Sequence, residues 1–328
     1  FDAMWTDMSE IVRPTRDGIH GREFISTSVD LGRKPPLLRF DENGALLTQM
    51  GPIVDLPVPF LLDVSRIAVT PAALKGMAGA AKELSTLIVL PLDSLSKLNG
   101  EAPAELLVPL ISDLKDLERV PPQVRMVEIP DSPEWKSVVL GIKERRPDIL
   151  VSIRVEPSAE LMAAVEDMAR EADVLHVLFA ESGMDHDGQY ARDSMRKLHR
   201  HLVKAGLRDG VTIISSGGLA AAEMVPKSII CGSDAVTLET ALLVALGCHV
   251  CEACSKDCPS DLKGATEEFV KRRVTNLCSV WRDQMLEMLG AMGIREVRRL
   301  RGETGRAIFQ EDAHRDAFSD ITGGGNVD

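Results

Sequence analysis

The chain has 328 residues, of which 45% are hydrophobic and 27% charged, and its formal net charge is −12. This length suits one large domain with an appendage, or two domains. The negative charge argues against a duplex nucleic-acid partner, which needs a basic face against the phosphates. No apolar run reaches the roughly 18 residues that cross a membrane. The chain starts at Phe1 without an initiator Met, which indicates a processed form or a piece of a longer protein.

Residues 1–56 are the first predicted segment, an irregular N-terminal lead-in. They contain Pro14, Pro35 and Pro36 and a turn sequence at 41–44. Such residues interrupt helices and strands. We expect this segment to pack on the domain that follows it.

Between residues 57 and 247, short apolar runs alternate with longer amphipathic stretches. Near-continuous hydrophobicity is typical of strands buried on both faces, as in a parallel sheet. Two of the stretches begin with helix signals, Thr70 before Pro71 and Ser158. The runs are residues 59–64, 86–92, 124–129, 149–155, 173–180, 211–216 and 234–238.

This alternation predicts an α/β fold, a (β/α)8 TIM-type barrel over 57–247. A doubly wound open sheet is the alternative. Seven runs leave one strand of the barrel unassigned. The eighth strand comes either from the N-terminal segment or from a run that the pattern does not reveal.

Residues 263–328 are predicted to form C-terminal helices and a flexible tail. One long helix is expected over 262–293, with an apolar face that packs against the barrel. That face consists of Phe269, Val274, Leu277, Val280, Trp281, Met285 and Leu289. The glycine-rich residues 322–328 are the tail.

Four cysteines lie close together, at Cys248, Cys251, Cys254 and Cys258, and Pro259 follows them. Their spacing, C-x2-C-x2-C-x3-C-P, is that of bacterial ferredoxins and places several thiolates around one iron–sulfur cluster. We therefore predict a cluster loop over 248–262, with a [4Fe–4S] cluster or a [3Fe–4S] cluster on three of the four. Zinc is the alternative metal, although zinc sites usually pair two short hooks that are further apart.

The other two cysteines, Cys231 and Cys278, stand alone in apolar surroundings and are predicted to be buried. Four clustered and two isolated cysteines do not resemble the disulfide framework of a secreted protein. A reducing cytoplasm and a metal centre are the expected context.

A glycine pair follows the strand predicted at 211–216. Ser215, Ser216, Gly217 and Gly218 would present backbone N–H groups to a phosphate, or they form a tight turn. Thr240 lies where the next strand passes into a helix, so the two loops together are typical of a flavin-phosphate cradle.

Residues 210–309 resemble the C-terminal half of the FMN-binding domain of glutamate synthase. The resemblance lies in "GVTIISSGGLAAAEMVPKSIICGSDAVTLETALLVALGC", the cysteine run and the helix after it, and it is fainter over 57–180. It implies a (β/α)8 barrel that carries FMN and a cysteine-rich loop that holds a three-iron cluster.

The resemblance also implies roles for single residues in flavin binding. Gly217 and Gly218 fall on the family's phosphate-binding glycine pair, and Thr240 falls on the threonine of the second phosphate loop. Arg154 replaces a lysine that faces the flavin, and Ser65 matches a serine in the loop after the first strand.

In the cysteine run, Cys248, Cys254 and Cys258 fall on the family's three cluster ligands. Cys251 is additional, and it favours a [4Fe–4S] cluster here.

We therefore expect a glutamate-synthase-like oxidoreductase subunit that passes electrons between FMN in the barrel mouth and the cluster, with a redox partner protein. Loops 88–98 and 180–190 depart from the family's glycine-rich loops, and Glu239 replaces a phosphate-loop glycine. These departures favour an alternative, a flavin-less barrel that is the cluster-carrying electron-transfer or scaffold subunit of a larger complex.

Overall fold

A computed structural model describes residues 17–18, 21–22, 25–35, 37–48, 50–98, 100–249 and 264–306. Its N-terminal part contains two antiparallel pairs, β1 (Asp17–Gly18) with β2 (Gly21–Arg22) and β3 (Val29–Gly32) with β4 (Ile53–Leu56). The second pair was not expected in a segment predicted to be irregular.

Eight parallel strands form a closed barrel, as predicted. Around the barrel each strand neighbours the next in the chain, and β12 pairs with β5 to close the ring. The strands are β5 (Phe60–Asp63), β6 (Ile88–Pro91), β7 (Leu107–Leu110), β8 (Met126–Pro130), β9 (Leu150–Val155), β10 (Val174–Leu178), β11 (Thr212–Ser216) and β12 (Ala235–Leu238).

Strand β7 is the barrel strand that the hydrophobic pattern did not reveal. It has four residues and contains Pro109, and a proline within a short run argues against a strand because it removes a ladder donor. The 3-10 helices at Ala104–Leu106 and Asp116–Arg119 flank it, so no long amphipathic stretch marks its ends. The eighth strand therefore lies within the barrel region and not in the N-terminal segment.

The β3–β4 pair closes the amino-terminal end of the barrel. Leu31 and Leu56 are buried in the core beneath the strands. The N–H of Gly32 donates to Oγ1 of Thr212, the first residue of β11, at 3.0 Å. The pair therefore lies opposite the carboxyl ends of the strands, where sites in this architecture are built.

Seven α-helices occur in the described ranges. They are α1 (Pro71–Leu84), α2 (Trp135–Arg145), α3 (Ala159–Glu171), α4 (Ala191–Lys204), α5 (Met224–Cys231), α6 (Thr240–Ala245) and α7 (Glu267–Ala291). Thr70 and Ser158 cap α1 and α3 as predicted, because their hydroxyls accept from the N–H groups of Ala73 and Leu161. None of the helices in these ranges is both long enough and apolar enough to span a membrane.

Replacing Thr70 with Ala is expected to lower the free energy of unfolding by about 1 kcal/mol, because the N–H of Ala73 loses its acceptor. Urea unfolding of the purified chain measures this change. Thr70→Ser keeps a hydroxyl at the cap and should lose less than half as much; an equal loss would contradict the capping role.

Helix α7 packs against α1 and is the long C-terminal helix that the sequence predicted. The contact is close at Gly76 of α1, where a Cβ would lie 2.5 Å from the carbonyl oxygen of Glu267. Two residues of the predicted apolar face are exposed, Phe269 at 37% and Val280 at 52%. Val270 and Cys278 are buried in their place, so the buried face is rotated relative to the prediction. The domain boundaries at 57, 248 and 263 stay predictions.

Candidate functional site

The inner face of the barrel carries charged side chains near the carboxyl ends of the strands. Side chains alternate between the two faces of a strand, so every second residue points into the barrel. On five strands these inward positions hold polar groups that are at most partly exposed: Asp63, Glu128, Ser152, Arg154, His176 and Thr237. We call this group the mouth network.

Arg154 is the centre of the mouth network. Its Nη2 donates to Glu128 Oε2 at 2.6 Å and to Asp63 Oδ2 at 2.8 Å. Its Nε also donates to Glu128 Oε2, at 3.0 Å, and its Nη1 donates to Ser65 Oγ at 2.7 Å. Since β9 lies four strands from β5 in either direction around the ring, this side chain joins opposite walls of the barrel.

Glu128 is fully buried and bonded on both carboxylate oxygens. Burial by itself raises the pKa of Glu128, but the charges of His176 and Arg154 and their hydrogen bonds outweigh burial and lower the pKa to about 2. The carboxylate is therefore ionised at neutral pH and depends on its two basic neighbours.

His176 lies on β10 and connects Glu128 on β8 with Thr237 on β12. Its Nδ1 lies 2.6 Å from Glu128 Oε1, and its Nε2 lies 3.1 Å from Thr237 Oγ1. Hydroxyl, imidazole and carboxylate follow one another as in the hydrolase triads. However, Thr237 is 1% exposed, so its hydroxyl has no open path to a substrate and the three groups serve as a buried hydrogen-bond chain.

Two buried oxygens above this network lack hydrogen-bond partners within the described residues. They are Ser216 Oγ, at the end of β11, and Glu239 Oε1, directly after β12. Arg66 Nη1 lies 3.6 Å from Glu239 Oε1, which is an ion-pair distance but not a hydrogen bond. Buried polar atoms nearly always have a hydrogen-bond partner. We call the two loops that follow β11 and β12 the rim; it is suited to a ligand that supplies the missing partners.

The turn after β11 requires glycine at two successive positions. Gly217 has φ +92° and Gly218 has φ +68°. A Cβ on Gly217 would lie 2.3 Å from the carbonyl oxygen of Phe179. The N–H groups of Gly217 and Gly218 donate to no acceptor in the part of the chain that the structure describes, so they are available to an anion.

Comparison with known proteins agrees with this architecture. Residues 180–295 match the family model described as "Conserved region in glutamate synthase". The archaeal glutamate synthase [NADPH] of Methanocaldococcus jannaschii is 37% identical over 131 residues, which cover 37% of this chain and 26% of that protein. The archaeal-type glutamate synthase [NADPH] of Thermotoga neapolitana is 25% identical, and the alignment covers 92% of this chain and 73% of that protein. The chain is therefore similar to the glutamate synthases.

Solved structures show the same fold at much lower identity. A mutant flavocytochrome b2 with benzoylformate superposes with a TM-score of 0.56 and 12% identity, over 91% of this chain and 82% of that one. The resemblance to the glutamate synthases and the (β/α)8 fold, both predicted from the sequence, are therefore confirmed.

The glutamate-synthase-like barrel brings some of the predicted flavin residues together and separates others. Ser65 and Arg154 are in contact through the hydrogen bond between them. Ser216, Gly217 and Gly218 lie together at the rim, but the Ser215 hydroxyl points out of the barrel to Ser233, 2.8 Å away. Thr240 is buried at the start of α6, the helix that follows β12, and β12 is the strand next to β11.

Of the four predicted cluster ligands, Cys248 lies in the described part of the chain. It follows α6 and is partly exposed, and its N–H donates to the carbonyl of Leu243. Cys251, Cys254 and Cys258 lie outside the described residues.

The two isolated cysteines are buried, as predicted. Burial raises the pKa of the Cys231 thiol to about 11 and that of Cys278 to about 12. Both thiols are therefore protonated and unreactive at neutral pH.

Glu128 and His176 were not identified from the sequence. Glu128 and His176 are polar residues inside the mostly apolar runs 124–129 and 173–180. A charged residue in a strand buried on both faces is rare unless it has a partner. The position of Glu128 and His176 in these runs was therefore the sequence signal that could have identified them as site residues.

Proposed function

We propose that this chain is the flavin- and cluster-carrying part of a glutamate-synthase-like oxidoreductase. FMN would lie at the barrel mouth and exchange electrons with an iron–sulfur cluster held by Cys248, Cys251, Cys254 and Cys258. The curated relatives are named for NADPH, so the electrons would come from NADPH through a redox partner protein or subunit.

The observation that supports the flavin is a set of polar groups after β11 and β12 that lack hydrogen-bond partners among the described residues. A phosphate accepts hydrogen bonds, and the N–H groups of Gly217 and Gly218 and the hydroxyl of Ser216 are donors without acceptors among the described residues. The residues at this rim fit the phosphate end of FMN. The bound flavin would supply the redox chemistry, and the protein supplies its position and electrostatic environment.

Arg154 would contact the ring end of the flavin. A guanidinium has five N–H donors. Four of the N–H groups of Arg154 donate to Glu128, Asp63 and Ser65. Among the described residues the second N–H of Nη1 has no acceptor, so it is available to a ligand. Because the acids hold Arg154 in place, its charge is fixed before the ligand arrives.

The hydrogen bonds from Arg154 to Asp63 and Glu128 also favour a second candidate function. This is a barrel without flavin that carries the cluster as a scaffold or electron-transfer subunit. The bridge from β9 to β5 occupies the centre of the mouth. It neutralises buried acids that would otherwise need a ligand. Under this alternative the side chains of the mouth network occupy the space that a cofactor would otherwise take.

An anaerobic purification with iron, sulfide and flavin quantified per chain tests both candidates. The proposal expects about four iron and four sulfide per chain for a [4Fe–4S] cluster, and one flavin after reconstitution with FMN. Iron and sulfide without any flavin uptake would favour the scaffold. Zinc in place of iron would contradict both.

The Cys254→Ala variant is expected to lose most of its bound iron, because the cluster loses one thiolate ligand. Iron analysis and the visible absorption of the anaerobic sample measure this loss. The matched control is Cys278→Ala, which removes a thiol buried in α7 and should retain wild-type iron. Equal iron in the two variants would exclude Cys254 as a ligand.

A further inference from the structure

We propose that Glu239 is a specificity-determining residue of the barrel mouth. Its carboxyl makes binding of a flavin phosphate depend on pH, whereas a flavin without phosphate binds independently of it. This inference rests on the proposed flavin site and states how that site selects between FMN and riboflavin.

Glu239 lies at the position where the two phosphate-facing loops meet. It directly follows β12 and precedes α6, and it is 7% exposed. The neighbouring strand β11 ends at Ser216, and the register pairs Ser215 with Val236. By alternation along the two strands, Ser216 and Glu239 share the inner face of the barrel.

Both oxygens at this rim need a partner that the described chain does not provide. Ser216 Oγ is buried and has no hydrogen-bond partner there, and neither does Glu239 Oε1. A protonated Glu239 carboxyl can donate a hydrogen bond to a phosphate oxygen. An ionised carboxylate can only accept, so it would repel the same phosphate.

The charged groups that face Glu239 come from three strands of the barrel and from the loop after β5. Asp63 ends β5 and Arg66 follows it, Arg154 lies on β9 and His176 lies on β10. Burial raises the pKa of Glu239, and the charge of Asp63 raises it further, while Arg66, His176 and Arg154 act in the opposite direction. The net shift is upward, so protonated Glu239 persists to higher pH than an ordinary glutamic acid.

These groups set the sign of the pH dependence. Below the raised pKa, Glu239 is neutral and acts as a donor to the phosphate. As the pH rises through that value, the carboxylate appears beside a group that carries about −1.5 to −2 charges. FMN affinity therefore falls with increasing pH. Riboflavin has no phosphate, so its affinity does not follow the ionisation of Glu239.

The test is a titration of the full chain with FMN and with riboflavin between roughly pH 5.5 and pH 8.5, read by quenching of flavin fluorescence. The ratio of the FMN Kd to the riboflavin Kd is expected to rise about tenfold for each pH unit above the Glu239 pKa. In Glu239→Gln this ratio should stay nearly constant, apart from the ionisation of the phosphate itself, with its pKa near 6.

Two further variants make the result specific. Glu287→Gln removes the same charge from an exposed position on α7 and should keep the wild-type pH dependence. Glu239→Asp keeps an ionisable carboxyl and should also keep it. If the Gln variant does not fold, the wild-type titration alone decides, because the same pH dependence for the two flavins would overturn the role of Glu239.

The outcomes separate this inference from the proposed function. If wild type binds both flavins with the same pH dependence, or if Glu239→Gln keeps the wild-type ratio, the role of Glu239 is overturned while the flavin site stands. If neither flavin binds wild type or Glu239→Gln at any pH, the flavin site itself is overturned, and the role of Glu239 with it.

Discussion

Replacing Arg154 with Met is expected to lower the free energy of unfolding by about 3–5 kcal/mol at neutral pH. The substitution keeps an unbranched apolar stem but removes the guanidinium group, whose charge Asp63 and Glu128 share. Both carboxyls are fully buried, so water cannot replace the lost hydrogen bonds. An uncompensated buried charge is among the few defects that cost this much.

Urea unfolding at neutral pH measures the loss, and an exposed ion pair provides the matched control. Arg170 is half exposed and pairs with Glu166 and Asp167 on the surface of α3. Arg170→Met should cost no more than about 1 kcal/mol, because exposed pairs contribute little. Equal losses at the two positions would contradict the central role assigned to Arg154.

The loss at Arg154 should also depend on pH. The pKa of Glu128 is depressed in the folded state, from 4.5 to about 2. A depressed carboxyl stabilises the fold above its unfolded pKa and loses that contribution as the pH falls through the folded value. Without Arg154 the depression is smaller, so the difference between wild type and Arg154→Met should shrink as the pH falls from about 4.5 toward 2. A difference that stays constant over this window would mean that Glu128 does not depend on Arg154.

The sequence predicted the barrel because its strands are buried on both faces. Seven strands follow from apolar runs alone, and the caps at Thr70 and Ser158 mark two helices from local signals. Strand β7 did not follow, because Pro109 and the short flanking 3-10 helices remove the pattern on which such a prediction depends. The prediction therefore failed where the fold itself departs from regular strand–helix alternation.

The mouth network was harder to predict, because its contacts connect residues far apart in the chain. Arg154 and Asp63 are 91 positions apart, and they meet only because the barrel closes. The register that places His176 beside Arg154 is likewise a property of the paired strands. A local pattern can show that Glu128 needs a partner, but the identity of the partner depends on the closed ring.

The rim shows the opposite case, in which a local motif is informative for more than one reason. The sequence predicts either a phosphate-binding turn or a tight turn at the glycine pair. The structure shows that Gly217 is also required by packing, since its Cα faces the carbonyl of Phe179. A glycine in a phosphate-like motif is therefore not evidence for a phosphate by itself. In this chain the independent support comes from Ser216 Oγ and Glu239 Oε1, which are buried and have no hydrogen-bond partner in the part of the chain that the structure describes.

Replacing Gly217 with Ala is expected to lower the free energy of unfolding by more than about 3 kcal/mol, or to prevent folding. Two costs add at this position. The positive φ of +92° disfavours any residue with a Cβ by about 1–2 kcal/mol. In addition, the new Cβ would lie 2.3 Å from the carbonyl oxygen of Phe179 and 2.8 Å from that of Ala180, and backbone atoms of a buried strand end cannot move aside as a flexible side chain can.

Gly188→Ala separates the two costs, because Gly188 has φ +75° and no atom within 4 Å of an added Cβ. It should lose only the conformational part, about 1–2 kcal/mol. Urea unfolding of both variants measures the difference, which isolates the contact between the β11 turn and the loop after β10. If the two variants lose the same amount, the turn is free to move. The turn after β11 would then adopt its ligand-binding conformation only when the ligand binds.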